Sequence, residues 1–160
     1  MTNNDILRRI RYAFDFSDSK MIALFGLADL EVTRAQVSAW LKKNADPALE
    51  ECGARELAIF LNGLINDKRG KREGPQAEPE HHLNNNIVFR KLKIALNLKD
   101  DDMVKILSSA GLRFSKHELN SFFRKPDHKH YRVCKDQILR NFLIGLALQY
   151  RTDIKPSPST

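Results

Sequence analysis

Apolar residues recur at helical spacing in four successive segments, and then the whole pattern begins again. Ile6, Leu7, Ile10, Ala13 and Phe14 share one face of a segment over roughly 5–14, with Arg8, Arg9 and Arg11 opposite. Met21, Ile22, Leu24 and Phe25 follow in a second segment, Val37, Trp40 and Leu41 in a third, and Leu57, Phe60, Leu61, Leu64 and Ile65 in a fourth. Eighty-two residues on, the order returns. A shift of 82 lays residues 3–65 over 85–147 without a gap, with 15 of the 63 positions identical, where average compositions would give about four. Asn3/Asn85, Asn4/Asn86, Arg8/Arg90, Cys52/Cys134, Phe60/Phe142 and Gly63/Gly145 are among them. Such self-similarity marks a duplicated structural unit.

Each unit therefore reads as four helices. Asn4 and Asn86 stand where N-caps of the first helix belong, Asp18 and Asp100 open the second, and Thr33 and Ser115 cap the third. Ser115 with Glu118 has capping-box spacing. The fourth helix is the most apolar: Ile138, Leu139, Phe142, Leu143, Leu146 and Ala147 repeat its stripe, and Ile144 and Leu148 extend it almost around the circumference. A helix apolar on nearly all sides is buried on nearly all sides. One 63-residue unit alone would bury too little surface for secure stability. The expected fold is all-α, two tandem pseudo-equivalent four-helix units packed through their apolar fourth helices. Gly63 and Gly145 suit close helix–helix approach.

The expected domain boundaries are 1–69 for the first repeat, 70–83 for a flexible polar linker containing Gly70, Gly74, Pro75 and Pro79, 84–151 for the second repeat, and 152–160 for a disordered tail. The longest apolar run, residues 142–148, is far too short to span a bilayer, and the first residues lack the apolar core of a secretion signal, so a cytoplasmic protein without membrane attachment is expected. Cys52 and Cys134 occupy one duplicated position and read as small buried thiols rather than a disulfide framework.

Charge separates the two units. Residues 3–65 hold 8 Lys/Arg against 9 Asp/Glu, and residues 85–147 hold 13 against 6, so the second unit alone carries a net +7. Similar halves with such different charge are expected to meet different partners. Arg113, Lys116, Arg124, Lys125, Lys129, Arg132, Lys135 and Arg140 crowd into one stretch of this unit. With Leu119, Phe122 and Phe123 facing inward, the outward set is Lys116, His117, Asn120, Ser121 and Arg124, joined by Lys125, Lys129 and Arg132 from the following loop. These side chains are the candidate nucleic-acid-binding residues, able to contact phosphates and base edges. The order helix, Ala110-Gly111 turn, capped helix also fits a helix-turn-helix loosely, with about two residues too many and Asp29 in place of the glycine in the first unit. A generic helical hairpin fits the same pattern.

Other chemistry finds little support. His128, His130 and Cys134 lie close in sequence and His81-His82 adjoin the second unit, but none has metal-ligand motif spacing. The Asp100-Asp101-Asp102 run is explained by a helix N-terminus, and no nucleophile elbow or phosphate-cradling glycine loop is present. No catalytic residue, metal or cofactor is assigned, and an enzyme is not expected.

The segments NNDILRRIRYAFDFSD (3–18) and DQILRNFLIGL (136–146) resemble the YehS-like family of small bacterial proteins, which are built from two copies of a helical domain of unknown function. The resemblance runs from Asn3 to about Tyr150. It implies a cytoplasmic, duplicated, all-helical protein and brings no catalytic residue, cofactor or partner. Two functions stay open on the sequence. One is a nucleic-acid-binding or regulatory protein acting through the basic second unit. The other is a protein–protein interaction module or homodimeric adaptor, with the basic face meeting an acidic protein or the fourth helices joining two copies. A small-molecule sensor with a pocket between the units has no specific sequence support.

Overall fold

The structure, a computed structural model, describes residues 1–151; the tail expected over 152–160 lies outside the described residues. The chain is all-helical, with α1 (Asn3–Phe14), α2 (Asp18–Leu27), α3 (Arg34–Leu41), α4 (Ala54–Arg69), α5 (Asn85–Ala95), α6 (Asp100–Ser109), α7 (Lys116–Asn120), a 3-10 turn over Ser121–Phe123, and α8 (Asp136–Tyr150). No helix among the described residues is long and apolar enough to cross a membrane.

The fourth helices form the seam, but each takes a first helix as its main partner across it. Helix α8 lies on α1, and α4 lies on α5, while α2 and α6 pack on the opposite flanks of α4 and α8 within their own units. The pairs are parallel. The Met1 amino group sits 2.7 Å from Asp136 at the start of α8, and the Phe14 and Tyr150 rings meet at 4.9 Å at the other end. Being gripped from both units accounts for the broad apolar stripes, with Leu57, Phe60, Leu61 and Leu64 buried in α4 and Leu139, Phe142, Leu143 and Leu146 in α8. Helix α8 is not buried all round, since Ile144 is exposed and Leu148 half-buried. Each fully buried leucine or phenylalanine contributes about 1.5–3 kcal/mol, so neither unit can shed the other cheaply.

The duplicated glycines set the approach inside each unit. A Cβ built on Gly63 would fall onto the carbonyl oxygen of Leu24 in α2, and one on Gly145 onto that of Ile106 in α6. The turn after the second helix is also duplicated: Asp29 (φ 67°) and Gly111 (φ 92°) both adopt the left-handed conformation, so the first unit makes the same turn with an aspartate.

Asn4 and Asn86 are not N-caps. Thr2 and Asn84 cap α1 and α5, accepting from the Asp5 and Ile87 amides, which leaves Asn4 and Asn86 buried two residues further in. The reason is tertiary. The Asn4 side-chain amide donates to the carbonyls of Trp40 (2.9 Å) and Glu50 (2.8 Å), and its oxygen accepts from the Cys52 amide (3.0 Å). Asn86 does the same with Phe122 (3.1 Å), Arg132 (2.8 Å) and Cys134 (2.9 Å). Asn3 and Asn85 add bonds to the Cys52 and Cys134 carbonyls. In each unit an Asn-Asn pair thus clamps the loop between the third and fourth helices.

Cys52 and Cys134 are buried and free. Burial pushes both thiols up to about 12, so they carry almost no nucleophilic thiolate at neutral pH. An aromatic disulfide reagent is expected to label neither in native buffer, and both at a denaturant concentration that coincides with loss of helical circular dichroism. Rapid native labelling of either would mean the loop clamp opens locally.

The segment over 70–84 forms no helix, yet it is held at several points. Lys71 pairs with Asp29 (3.1 Å) and Glu80 with Lys91 (3.0 Å), and Gln76 accepts from Asn66 (3.1 Å). It is tied to α4 through Asn66 and to α5 through Lys91.

Candidate nucleic-acid interface

The loop over 124–135 owes its position to Asn86 beneath it, which bonds the carbonyls before and within it. Clamped from below, the loop turns its side chains outward: Lys125, His128, Lys129, His130, Arg132 and Val133 are exposed. The Arg132 amide donates to the Ser121 carbonyl (3.0 Å), and its guanidinium lies over the Phe122 and Phe114 rings at 5.5 and 6.0 Å from their centroids. Those contacts fix the stem and leave the charged fork open to an anion. His117 on α7 approaches His130 (ring centroids 6.5 Å), which in turn neighbours His128 (5.6 Å), so α7 and the loop join into one face. Among the described residues, no group of three or more His, Cys, Asp or Glu is arranged to hold a metal ion.

The candidate residues divide. His117, Lys125, Lys129 and Arg132 are exposed on the α7–loop face. Lys116 is exposed but paired with Asp101 at 2.8 Å, and this carboxylate holds its pKa above the usual lysine value. Ser121 donates its hydroxyl to the Glu118 carbonyl. Asn120 is half-buried near Asp100, whose pKa is lowered mainly by the Lys93 ammonium and partly by Asn120. Arg124 is half-buried, with its Nε out of solvent. The capping box of Ser115 and Glu118 forms, but α7 runs only five residues before tightening into the 3-10 turn. A helix of that length presents little more than one turn to a major groove, so the helix-turn-helix geometry is not built. The exposed candidate side chains come mainly from the loop over 124–135.

The first unit supplies an internal comparison. Its loop over 42–53 is clamped by Asn4 with the same bonds, yet Asp46, Glu50 and Glu51 stand where His128, Arg132 and Val133 stand in the second. One scaffold thus carries 2 Lys against 3 Asp/Glu over 42–53 in one copy and 5 Lys/Arg against 1 Asp over 124–135 in the other, Lys43 and Lys125 being common to both.

Two family-model matches fall on the two units, over residues 3–70 and 85–152, both to the family described as "Protein of unknown function (DUF1456)". The chain is also similar to "Uncharacterized protein YehS" of Escherichia coli (strain K12), 45% identical over 148 residues that cover 92% of this chain and 95% of that protein. No solved structure matches the chain. With the duplicated fold, the paired matches and a relative this close, the chain belongs to the DUF1456 family, the YehS-like proteins that its terminal segments resemble.

Proposed function

We propose that the protein binds nucleic acid through the basic face of its second unit, with Lys125, Lys129 and Arg132 contacting phosphates and His117, His128 and His130 beside them on the same face. One observation carries this reading: the loops over 42–53 and 124–135 share their clamp and differ in the sign of their charge. A loop held by buried hydrogen bonds is preorganised, so little ordering entropy is spent on binding. Arg132 above two aromatic rings suits a phosphate or a stacked base.

The test is fluorescence anisotropy with labelled single-stranded DNA, duplex DNA and RNA across a salt series. The comparison variant is Lys125→Glu/Lys129→Glu/Arg132→Glu, which gives position 132 the glutamate that position 50 already has. The expected result is binding with a log–log salt slope of several units, reduced by roughly two to three in the variant, since each lost phosphate contact removes about 0.7–0.9. Equal, feeble binding by both proteins would overturn the reading and favour capture of an acidic protein partner.

A further inference from the structure

We infer that a cleft where α4 meets α5 is a binding site for a phosphate monoester attached to a small, flat, apolar body. This inference is independent of the nucleic-acid reading. The cleft measures about 400 Å³, within the range of small-ligand sites. Arg69, Arg90 and Lys93 supply three cations around it, and Ile94, Leu98 and Phe123 form an apolar wall. Lys93 is partly committed, with its ammonium 2.8 Å from Asp100 and 4.6 Å from the Phe123 centroid. The two arginines have no carboxylate partner among the described residues: Arg90 is exposed and donates at 3.3 Å to the Phe123 carbonyl, and Arg69 is exposed at the end of α4.

Duplication again provides the control. Shifting each lining residue by 82 gives a second cleft, of about 350 Å³, where α8 meets α1. Arg8, Arg11 and Arg151 stand there for Arg90, Lys93 and Arg69. There the three matching cations each have a carboxylate partner, and Lys43 lines that cleft as a further cation. Arg8 pairs with Asp5 and bonds the Lys42 carbonyl and Asn44, Arg11 lies 3.6 Å from Asp18, and Arg151 lies 3.6 Å from Asp15 with its guanidinium over Tyr12. Two of those carboxylates are missing from the α4–α5 cleft, where Ile87 replaces Asp5 and Asn97 replaces Asp15. Asn97 keeps the left-handed backbone of Asp15 (φ 52° and 53°), so the fold is the same and only the charge has gone. Two guanidiniums facing one cleft without counter-charge match a phosphate dianion, and the wall of Ile94, Leu98 and the Phe123 edge matches a flat body beside it. The Phe123 ring itself is stacked on Phe89.

Titration calorimetry of the full chain with inorganic phosphate, adenosine and AMP tests this, beside Arg69→Ala and Asn97→Asp. Asn97→Asp restores the carboxylate of the other cleft at a backbone conformation that aspartate already tolerates, so folding is preserved and is checked by an unchanged melting midpoint. AMP is expected to bind about tenfold or more tighter than either adenosine or phosphate, and each variant to weaken it about tenfold, the cost of one charged hydrogen-bonding partner. The Lys125→Glu/Lys129→Glu/Arg132→Glu variant is expected to leave AMP binding intact, which separates this site from the basic loop. A 5′-phosphorylated tetrathymidylate that displaces AMP would assign the site to a nucleic-acid end, and one that does not would assign it to a free small molecule; both support the site. No AMP binding, or equal affinity in wild type, Arg69→Ala and Asn97→Asp, would overturn it.

Discussion

Gly63→Ala is expected to destabilise the protein by about 3 kcal/mol, although alanine is the better helix former. Propensity alone would stabilise a mid-helix position by about 1 kcal/mol. The opposing term is larger because the new methyl would meet the Leu24 carbonyl oxygen, which belongs to the backbone of α2 and cannot rotate aside. Relief requires α2 and α4 to separate, which loosens Leu24, Phe25 and Phe60 in the core, and overpacking of this kind costs about 1–3 kcal/mol or more. Gly26→Ala is the matched control, because nothing lies within 4 Å of a Cβ there and the position is exposed near the end of α2. It is expected to be neutral or to stabilise by up to about 1 kcal/mol. Urea unfolding of the two variants checks the pair. Stabilisation by Gly63→Ala would show that the α2–α4 approach is wider than described.

Asn86→Ala is expected to cost on the order of 3 kcal/mol and to release the basic loop. The substitution leaves the Phe122 and Arg132 carbonyls and the Cys134 amide without their partner, and each buried group stripped of its bond costs about 1–3 kcal/mol, less where water can enter. Asn86→Asp is worse than its small change in shape suggests. A carboxylate still accepts from the Cys134 amide but faces two carbonyl oxygens that need donors. That environment raises the folded-state pKa of the introduced acid, so the penalty is smallest below the unfolded value of about 3.9 and grows as the pH rises through it. Amide hydrogen exchange over 124–135 is the sharpest readout, with protection at Cys134 lost in Asn86→Ala while α1 keeps its own. Unchanged protection at Cys134 would remove the clamp from the account.

Much of this was legible in the sequence. The offset of 82 fixed two equivalent units, and the apolar stripes of α4 and α8, the Thr33 and Ser115 caps and the tight glycines all follow from local spacing. Local spacing says which face of a helix is buried but not which neighbour covers it, so the α1–α8 and α4–α5 pairings could not be read from it. Asn4 and Asn86 looked like caps because short polar side chains at a helix start usually are; their true partners lie 36–48 residues away. The five-residue α7 was hidden because Leu119, Phe122 and Phe123 keep helical spacing through a 3-10 turn. Arg69 escaped notice because the gapless match stops at Ile65, although four further steps pair it with Arg151.

The central claim is that duplication kept one scaffold and that ligand binding sits in the second unit's basic loop and in the cleft between α4 and α5. Backbone amide resonances of the full chain, followed during titration with a short duplex and separately with AMP, test it most directly, because residues 3–69 have counterparts 82 positions away. The account predicts that duplex shifts residues around 116–117 and 125–133 while their counterparts near 34–35 and 43–51 stay still. AMP should move residues near Arg69, Arg90 and Asn97 but not those near Arg151, Arg8 and Asp15. Equal shifts at counterpart positions, or shifts only at 34–51 and around Arg8, Asp15 and Arg151, would contradict it.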